Sequence, residues 1–159
     1  MAVDLKTMQP NQIDVHDTAD ERLRRDGQRY TANRRALVEA MASADRPVTV
    51  IELIDVATGM PQSSAYRNLS VLEDAGVVRR LVTADDTARF ELAEDLTGHH
   101  HHHLICEACG TVADIDVPTG LEDGVAAFAA SIAKSHGFRI EHHRLDLLGV
   151  CPACSTAAR

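Results

Sequence analysis

The sequence of 159 residues contains no run approaching the roughly 18 uninterrupted apolar residues that a membrane-spanning helix requires. Its first residues, MAVDLKTMQPNQIDVHD, lack a basic start followed by an apolar stretch, which argues against an export signal. We therefore expect no membrane partner and a cytoplasmic location. The composition, 45% hydrophobic and 25% charged, is typical of a globular protein.

Motifs of common enzyme classes are also missing. The sequence has no HExxH helix, no nucleophile elbow and no glycine-rich loop that could cradle a phosphate. Catalysis is therefore not expected, and a zinc-dependent enzyme remains only as a remote alternative.

Cysteines are few, but their spacing is informative. All four lie in two CxxC pairs, Cys106/Cys109 and Cys151/Cys154. In a reducing compartment this pattern indicates a metal site rather than disulfides. Four thiolates form a tetrahedral shell that suits Zn²⁺, and such a shell leaves no open position for catalysis. The sequence predicts a structural zinc site, with a redox dithiol or buried free thiols as alternatives.

Histidines are concentrated in the stretch HHHHHLICEACG, residues 99–110. Alternate residues of an extended segment face opposite ways, so His101 and His103 should face one side, and His100 and His102 the other. One run can thus supply two metal sites, with further ligands from Glu91 and from His142 or His143. Imidazole suits several divalent metals. A solvated histidine run is the alternative.

Positive charge is concentrated in the first half of the chain. Residues 22–84 carry ten arginines against seven carboxylates, whereas the whole chain has a net charge of −8. A basic module joined to an acidic one is consistent with a nucleic-acid partner for the basic part. Solvated arginines on helix faces are the alternative.

Apolar periodicity in this basic half predicts helices followed by a β-hairpin. Gly27 should end the first helix, and Thr31 and Thr49 should cap the second and third. Two β-prone runs, 77–82 and 89–92, surround a predicted turn at ADDT. This order is the layout of a winged helix-turn-helix, whose second helix enters the major groove of DNA.

The fourth helix, SSAYRNLSVLEDAG, has one apolar face and one polar face. The polar face and the preceding arginines are the candidate DNA contacts, to bases and to phosphates. They are Ser63, Tyr66, Arg67 and Ser70 on the helix, with Arg29, Arg34 and Arg35 before it.

We predict an α+β protein with four segments. Residues 1–18 are a flexible extension, 19–93 a winged-helix DNA-binding domain, 94–98 a linker and 99–159 a small α/β metal-binding domain. In the last of these, strands carrying the CxxC pairs flank an alanine-rich helix that ends at Gly137.

Together these motifs resemble the ferric uptake regulator (Fur) superfamily of metal-dependent repressors, over about residues 22–154. The resemblance is carried by RYTANRRALVEAM, SSAYRNLSVLEDAGVVRRL, FEL, HHHHHLICEACG and IEHHRLDLLGVCPAC. The histidine run is most similar to the zinc uptake regulators of the family. The resemblance implies a homodimer that binds palindromic, often AT-rich operators, with residues 99–159 as its dimerisation domain.

The resemblance also implies roles for individual residues. The cysteines match the structural zinc ligands, and Tyr66 and Arg67 match DNA-contacting positions. Glu91, His101 and His103 match the regulatory metal site at the hinge. His100, His102 and His143 match a second site.

Four positions depart from the family pattern. Pro47, Arg79 and Ala93 stand where other members have hinge ligands, so the fourth hinge ligand is open among Asp85, Asp86, Asp95 and His16. Ala126 stands where the second site has a carboxylate, which leaves Glu122, one turn earlier, as a substitute.

The resulting hypothesis is a repressor of metal-homeostasis genes whose corepressor is a divalent metal, Zn²⁺ in preference to Fe²⁺. An iron-, nickel- or manganese-responsive repressor is the main alternative, and a zinc enzyme or a metal buffer is remote.

Overall fold

The computed structural model describes residues 14–157 except 45, 58, 84 and 99. Its first helix, α1 (Val15–Arg25), begins after Asp14, whose carboxylate accepts a hydrogen bond from the backbone N–H of His16 at 2.9 Å. Residues 15–18 are therefore helical, which corrects the predicted flexible extension 1–18. The helix itself was predicted, but its first buried residues are Ala19 and Leu23, so periodicity gave no signal for its start at residues 15–18. Residues 1–13 lie outside the described residues.

The next three helices follow the predicted capping signals. α2 (Ala32–Ala42) begins after Thr31, and α3 (Val50–Val56) begins after Thr49. The Thr49 hydroxyl accepts from the N–H of Glu52, and the Glu52 carboxylate accepts from the N–H of Thr49 at 2.7 Å. Such a reciprocal cap satisfies two N–H groups that a helix start otherwise leaves unpaired. α4 (Gln62–Asp74) ends in a turn where Gly76 has a φ of 68°.

A hairpin of β2 (Val78–Val82) and β3 (Ala88–Leu92) follows α4. The short β1 (Val48–Thr49) pairs with the other edge of β3, so the sheet order is β1-β3-β2 and both pairings are antiparallel. The main buried apolar cluster lies between residues 19 and 96, where the helices pack on this sheet. Helices followed by a hairpin form the N-terminal layout predicted from the sequence.

The predicted linker 94–98 has local structure of its own. It forms the one-turn helix α5 (Glu94–Thr97), which ends at Gly98 with a φ of 70°. Leu96 is 1% exposed and joins the main core, and α5 packs against α1. This one buried side chain anchors the connection to the N-terminal helices.

A second sheet contains β4 (His102–Cys106), β5 (Val112–Ile115) and β6 (Asp146–Gly149), in the order β5-β4-β6. β4 is antiparallel to β5 and parallel to β6. The parallel pairing places the carboxyl ends of β4 and β6 side by side, and each end leads into a CxxC pair. The segment 139–150, RIEHHRLDLLGV, leads into the second CxxC pair, and only Asp146–Gly149 of it forms a strand.

The remaining helices are α6 (Thr119–His136) and α7 (Pro152–Ala157). None of the residues of α6 is buried, and Phe128 and Phe138 are 67% and 71% exposed. No helix within the described residues is long and apolar enough to cross a membrane. The combination of helices with separate small sheets confirms the predicted α+β class.

Candidate metal centres and nucleic-acid interface

The histidine run leads into strand β4, and its side chains alternate between two sides of the chain. The His101 and His103 rings lie 5.3 Å apart on one side, and the His100 and His102 rings lie 4.7 Å apart on the other. This is the period-two alternation of an extended chain. His99 lies outside the described residues. The run therefore contributes to two separate groups of side chains.

The first group, called the hinge cluster below, consists of Glu91, His101, His103 and Asp114. One potential ligand atom from each lies within 4.8 Å of all the others. The Glu91 carboxylate oxygen Oε2 is 3.2 Å from His101 Nε2 and 3.0 Å from His103 Nε2. Glu91 is contributed by β3 of the N-terminal sheet. His103 and Asp114 lie on β4 and β5 of the C-terminal sheet, and His101 lies just before β4. The cluster therefore joins the two halves of the chain.

Asp114 is a member that sequence reasoning missed. It lies directly opposite His103 in the β4–β5 pairing, and its carboxylate is 3.8 Å from His103 Nε2. The sequence contained one feature that could have predicted this position, the tight CEACG turn. A short turn between two strands fixes which residues of the strands face each other. Counting back across that turn would have placed Asp114 beside His103.

The donor set of the hinge cluster fits a divalent cation. Glu91 Oε1 is buried and has no hydrogen-bond partner among the described residues, so a cation would satisfy it. Burial would raise the pKa of Glu91, but His103 and His101 outweigh it and lower that pKa. The carboxylate is thus held as an anion beside two imidazoles, a combination that binds zinc, iron or manganese.

Asp146 orients one of these imidazoles. Its carboxylate lies 3.2 Å from His103 Nδ1, and the Arg144 guanidinium holds it from the other side at 2.5 Å. His103 Nε2 is thereby directed into the cluster. Carboxylates that bind the outer nitrogen of a ligating histidine are common around metals. Sequence analysis did not single out Asp146.

The aspartates of the hairpin turn lie elsewhere. Asp85 is paired with Arg89 at 3.1 Å, and that pairing together with a hydrogen bond from Thr83 holds the pKa of its carboxyl well below its usual range. Asp86 follows in the turn with a φ of 56°. Neither belongs to the hinge cluster, which corrects their candidacy as its fourth ligand.

The other two candidates are also engaged outside the cluster. Asp95 is paired with Arg22 of α1. His16 lies between the Tyr30 hydroxyl at 2.7 Å and the Glu39 carboxylate at 2.8 Å. His16 is half-buried, with 21% of its side chain exposed.

The second cluster consists of His100, His102, Glu122 and His143, again with potential ligand atoms within 4.8 Å of one another. Glu122, in the first turn of α6, hydrogen-bonds His102 and lies 3.3 Å from His143 Nε2. His100 Nε2 is 3.1 Å from His143 Nε2. Glu122 thus provides the carboxylate that Ala126 lacks. His142 is exposed and does not belong to this cluster.

The departures at Pro47, Arg79 and Ala93 have local structural roles. Pro47 and Ala93 are buried. Arg79 donates to Glu94 at 2.5 Å, and the other Glu94 oxygen lies 2.6 Å from His100 Nδ1. Burial would raise the pKa of Glu94, but His100 and Arg79 outweigh it and lower that pKa.

The cysteine cluster contains Cys106, Cys109, Cys151 and Cys154, all free thiols. The sulfurs of Cys109 and Cys151 are 3.8 Å apart, and the backbone N–H of Cys151 donates to Cys106 Sγ at 3.3 Å. Backbone donors from Cys151 and Cys109 lower the pKa of the Cys106 thiol to about 6. Thiolates grouped in this way form the tetrahedral donor set that zinc prefers.

The candidate DNA face of α4 is exposed as predicted, and Tyr66 is 48% exposed. Arg29 is also exposed. Arg34 is instead half-buried and bonds Asn68 of α4 at 3.2 Å, while Arg35 stacks over the Tyr30 ring at 4.8 Å. The exposed residues on α4 are Ser63, Tyr66, Arg67 and Ser70.

Comparison with known proteins decides the family. The model of the ferric uptake regulator family matches residues 25–148. The chain belongs to this family. Its members are metal-responsive transcriptional regulators that bind DNA and are not enzymes, so the resemblance predicted from the motifs is confirmed.

Relatives and solved structures agree with this assignment. The chain is 34% identical to the peroxide operon regulator of Bacillus subtilis (strain 168), over 85% of this chain and 90% of that protein. It is 32% identical to the peroxide-responsive repressor PerR of Staphylococcus epidermidis, over 83% and 85%.

Among solved structures, the Vibrio cholerae ferric uptake regulator is similar at 28% identity and a TM-score of 0.63, over 83% of this chain and 98% of that one. A zinc-bound manganese uptake regulator is similar at 32% identity and a TM-score of 0.57, over 84% and 98%. The Fur-family fold is thus shared along most of the chain.

Proposed function

We propose that this protein is a metal-dependent transcriptional repressor whose corepressor binds at the hinge cluster. The observation that carries the proposal is the meeting of Glu91, from the sheet of the DNA-binding half, with His101, His103 and Asp114 of the C-terminal half. A cation bound by all four would fix the two halves relative to each other. Metal binding would then select one arrangement of the recognition helices.

The coupling between metal and operator must be reciprocal. A typical coupling free energy of about 1 to 3 kcal/mol changes operator affinity by about 5- to 150-fold. The cysteine cluster would hold a structural Zn²⁺ with no open position, which keeps the ends of β4 and β6 together. His100, His102, His143 and Glu122 would hold a further cation.

The repressor would act as a cytoplasmic homodimer on double-stranded DNA. The two recognition helices of a dimer bind half-sites about one turn of DNA apart or a multiple of it, which calls for palindromic operators. Ser63, Tyr66, Arg67 and Ser70 would face the groove, and Arg29 the phosphates. The exposed apolar side chains of the C-terminal half, including Phe128 and Leu148, support dimerisation through that half.

We favour Zn²⁺ as the sensed metal because of the histidine-rich donors, with Fe²⁺ or Mn²⁺ as the alternatives. Nickel is a further alternative. Two imidazoles with carboxylates suit all of these ions. The identity of the sensed metal is therefore determined by the metal titration described below.

A second candidate function is a repressor released by peroxide. Two relatives carry that description, and the hinge cluster offers imidazoles and carboxylates without a thiolate, a donor set found in non-haem iron sites. The distinguishing result is loss of operator binding on peroxide treatment of the iron-loaded protein, with the zinc-loaded protein unaffected.

The test combines metal content with operator binding. The protein is stripped by mild chelation and reloaded separately with Zn²⁺, Fe²⁺ or Mn²⁺, and binding to DNA from upstream of its own gene is followed by fluorescence anisotropy. We expect one zinc per chain to survive chelation and reversibly bound metal at the hinge cluster to restore binding. Glu91→Gln should abolish the restoration.

Arg67→Ala is the matched control for this test. It should weaken operator binding by about 1 to 3 kcal/mol, as expected for loss of a contact in the groove, while metal content stays unchanged. Equal operator affinity of the stripped and reloaded wild-type protein would contradict the proposed function.

A further inference from the structure

The Glu94 carboxylate links the second cluster to the DNA-binding half. Its Oε1 accepts from Arg79 of β2 at 2.5 Å, and its Oε2 lies 2.6 Å from His100 Nδ1. The side chains of Arg79 and Glu94 are only 32% and 20% exposed. One carboxylate is therefore shared between an arginine of the hairpin and a histidine of the metal-ligand group.

The orientation of His100 depends on this contact. With Nδ1 held by Glu94, Nε2 is directed towards His143 Nε2 at 3.1 Å and Glu122 at 3.5 Å. A carboxylate on the outer nitrogen fixes the ring and increases its basicity as a ligand. Glu94 therefore holds the second cluster ready for a cation.

On the other side of Glu94, the contact involves Arg79 of the hairpin. Arg79 lies directly opposite Glu91 in the pairing of β2 with β3. Glu91 belongs to the hinge cluster, so the two candidate metal sites reach the same cross-strand pair by different routes. Arg79 also lies on the strand that follows the recognition helix α4 after the turn at Gly76.

We propose that Glu94 and Arg79 form a relay through which a cation at the second cluster adjusts operator affinity. The inference rests on the proposed function, since it requires operator binding that responds to metal. In the relay, Glu94 is a positioning residue that acts through His100. Arg79 transmits the position of Glu94 to the hairpin.

The alternative to a relay is an isolated ion pair near the surface, which would contribute little to stability and would not affect operator binding. A double-mutant cycle distinguishes the relay from the isolated pair, because it measures the interaction of two residues and cancels the effect of each alone. The cycle uses His143→Ala, which disables the second cluster, combined with Arg79→Gln. Operator affinity is measured with saturating Zn²⁺.

In the wild-type background we expect His143→Ala to lower operator affinity about fivefold or more, a typical coupling. In the Arg79→Gln background the same substitution should have almost no effect. Arg80→Gln is the matched control, since it removes the neighbouring exposed arginine of the same strand, and there the loss should equal that of wild type. A loss of DNA contact by itself would lower all affinities alike and leave the ratio unchanged.

A second readout does not depend on DNA. Competition with a chromophoric chelator should show that Glu94→Gln weakens zinc binding at the second cluster about 10- to 100-fold, as expected for loss of an outer-shell partner. Arg79→Gln should weaken it less. Zinc in the cysteine cluster and the far-UV circular dichroism verify that each variant is folded, and Arg79→Met replaces Arg79→Gln in the cycle if the latter is not.

Three results would overturn the relay. They are an equal loss from His143→Ala in the wild-type and Arg79→Gln backgrounds, no loss from His143→Ala in a protein that still responds to zinc, and unchanged second-cluster affinity in Glu94→Gln. If wild type itself shows no metal response, the proposed function fails, and this outcome is distinct from all three.

Discussion

Arg79 and Glu91 lie directly opposite each other on antiparallel strands β2 and β3. Glu91 enters the hinge cluster itself, whereas Arg79 contacts the second cluster only through Glu94 and His100. The hairpin after α4 therefore contacts the clusters on both sides of the histidine run. The predictions below test the groups that hold these attachments together.

Asp114→Asn should weaken metal binding at the hinge cluster by at least the roughly 10- to 100-fold expected for loss of an outer-shell partner. The substitution keeps the shape of the side chain but removes an anionic oxygen close to His101 and His103. Zinc affinity is measured by chelator competition. Asp116→Asn, an exposed position beyond the end of β5, is the control and should behave as wild type. Equal affinities of the two variants would remove Asp114 from the site.

Asp146→Asn should lower the zinc affinity of the hinge cluster about 10- to 100-fold, although Asp146 is not itself one of the proposed metal ligands. The carboxylate holds His103 Nδ1 at 3.2 Å, so its loss frees the ring to rotate. Arg144→Gln removes only the outer partner of Asp146 and should have a smaller effect. Isothermal titration of the stripped protein gives both values. A larger loss in Arg144→Gln than in Asp146→Asn would contradict this order.

Cys154→Ser should abolish tight zinc binding at the cysteine cluster and selectively loosen the C-terminal sheet. The main buried core lies between residues 19 and 96, whereas the described part of the C-terminal half has only Ile105, Cys106 and Val112 as buried apolar residues. A small core of this kind depends on its metal for stability. Hydrogen exchange should show faster exchange in β4 and β6, with α2 and α4 still protected. Uniform loss of protection along the chain would argue for a single cooperative unit.

Thr49→Ala should lower the free energy of unfolding by about 1 kcal/mol, the usual cost of removing a helix N-cap. The Thr49 hydroxyl accepts from the Glu52 N–H at the start of α3. Urea denaturation at pH 7 measures the change. Ser43→Ala, at the C-terminal end of α2, is the comparison and should cost less, since Ser43 caps no helix start.

Glu52→Gln should destabilise the protein in a pH-dependent way. Burial would raise the pKa of Glu52, but Arg46 and Thr49 outweigh it and lower the pKa to about 2 from its ordinary value of 4.5. A carboxyl with a lowered pKa stabilises the fold above its unfolded pKa and loses this contribution as pH falls towards the folded one. The difference between wild type and variant in urea midpoint should be full at pH 7 and shrink below pH 4.5. A difference that grew on acidification would refute the assignment.

Much of the fold was determined by local sequence. Thr31 and Thr49 predicted helix starts, and alternation in the histidine run predicted two groups of imidazoles, because capping and strand periodicity depend only on neighbouring residues. The CxxC spacing likewise predicted grouped thiols. A one-turn connection with a single buried side chain, Leu96, left no periodic signal, and it was expected to be a linker.

Only the tertiary structure decided which distant groups meet. Strand pairing placed Asp114 opposite His103, and the parallel pairing of β4 with β6 brought Asp146 beside the same histidine. Asp85 and Asp95, equally plausible in the sequence, are engaged by Arg89 and Arg22 instead. The sequence by itself determined the chemistry available, because ligand types and periodicity are local properties. The completion of each cluster required the register of strands far apart in the chain, which only the packed fold sets.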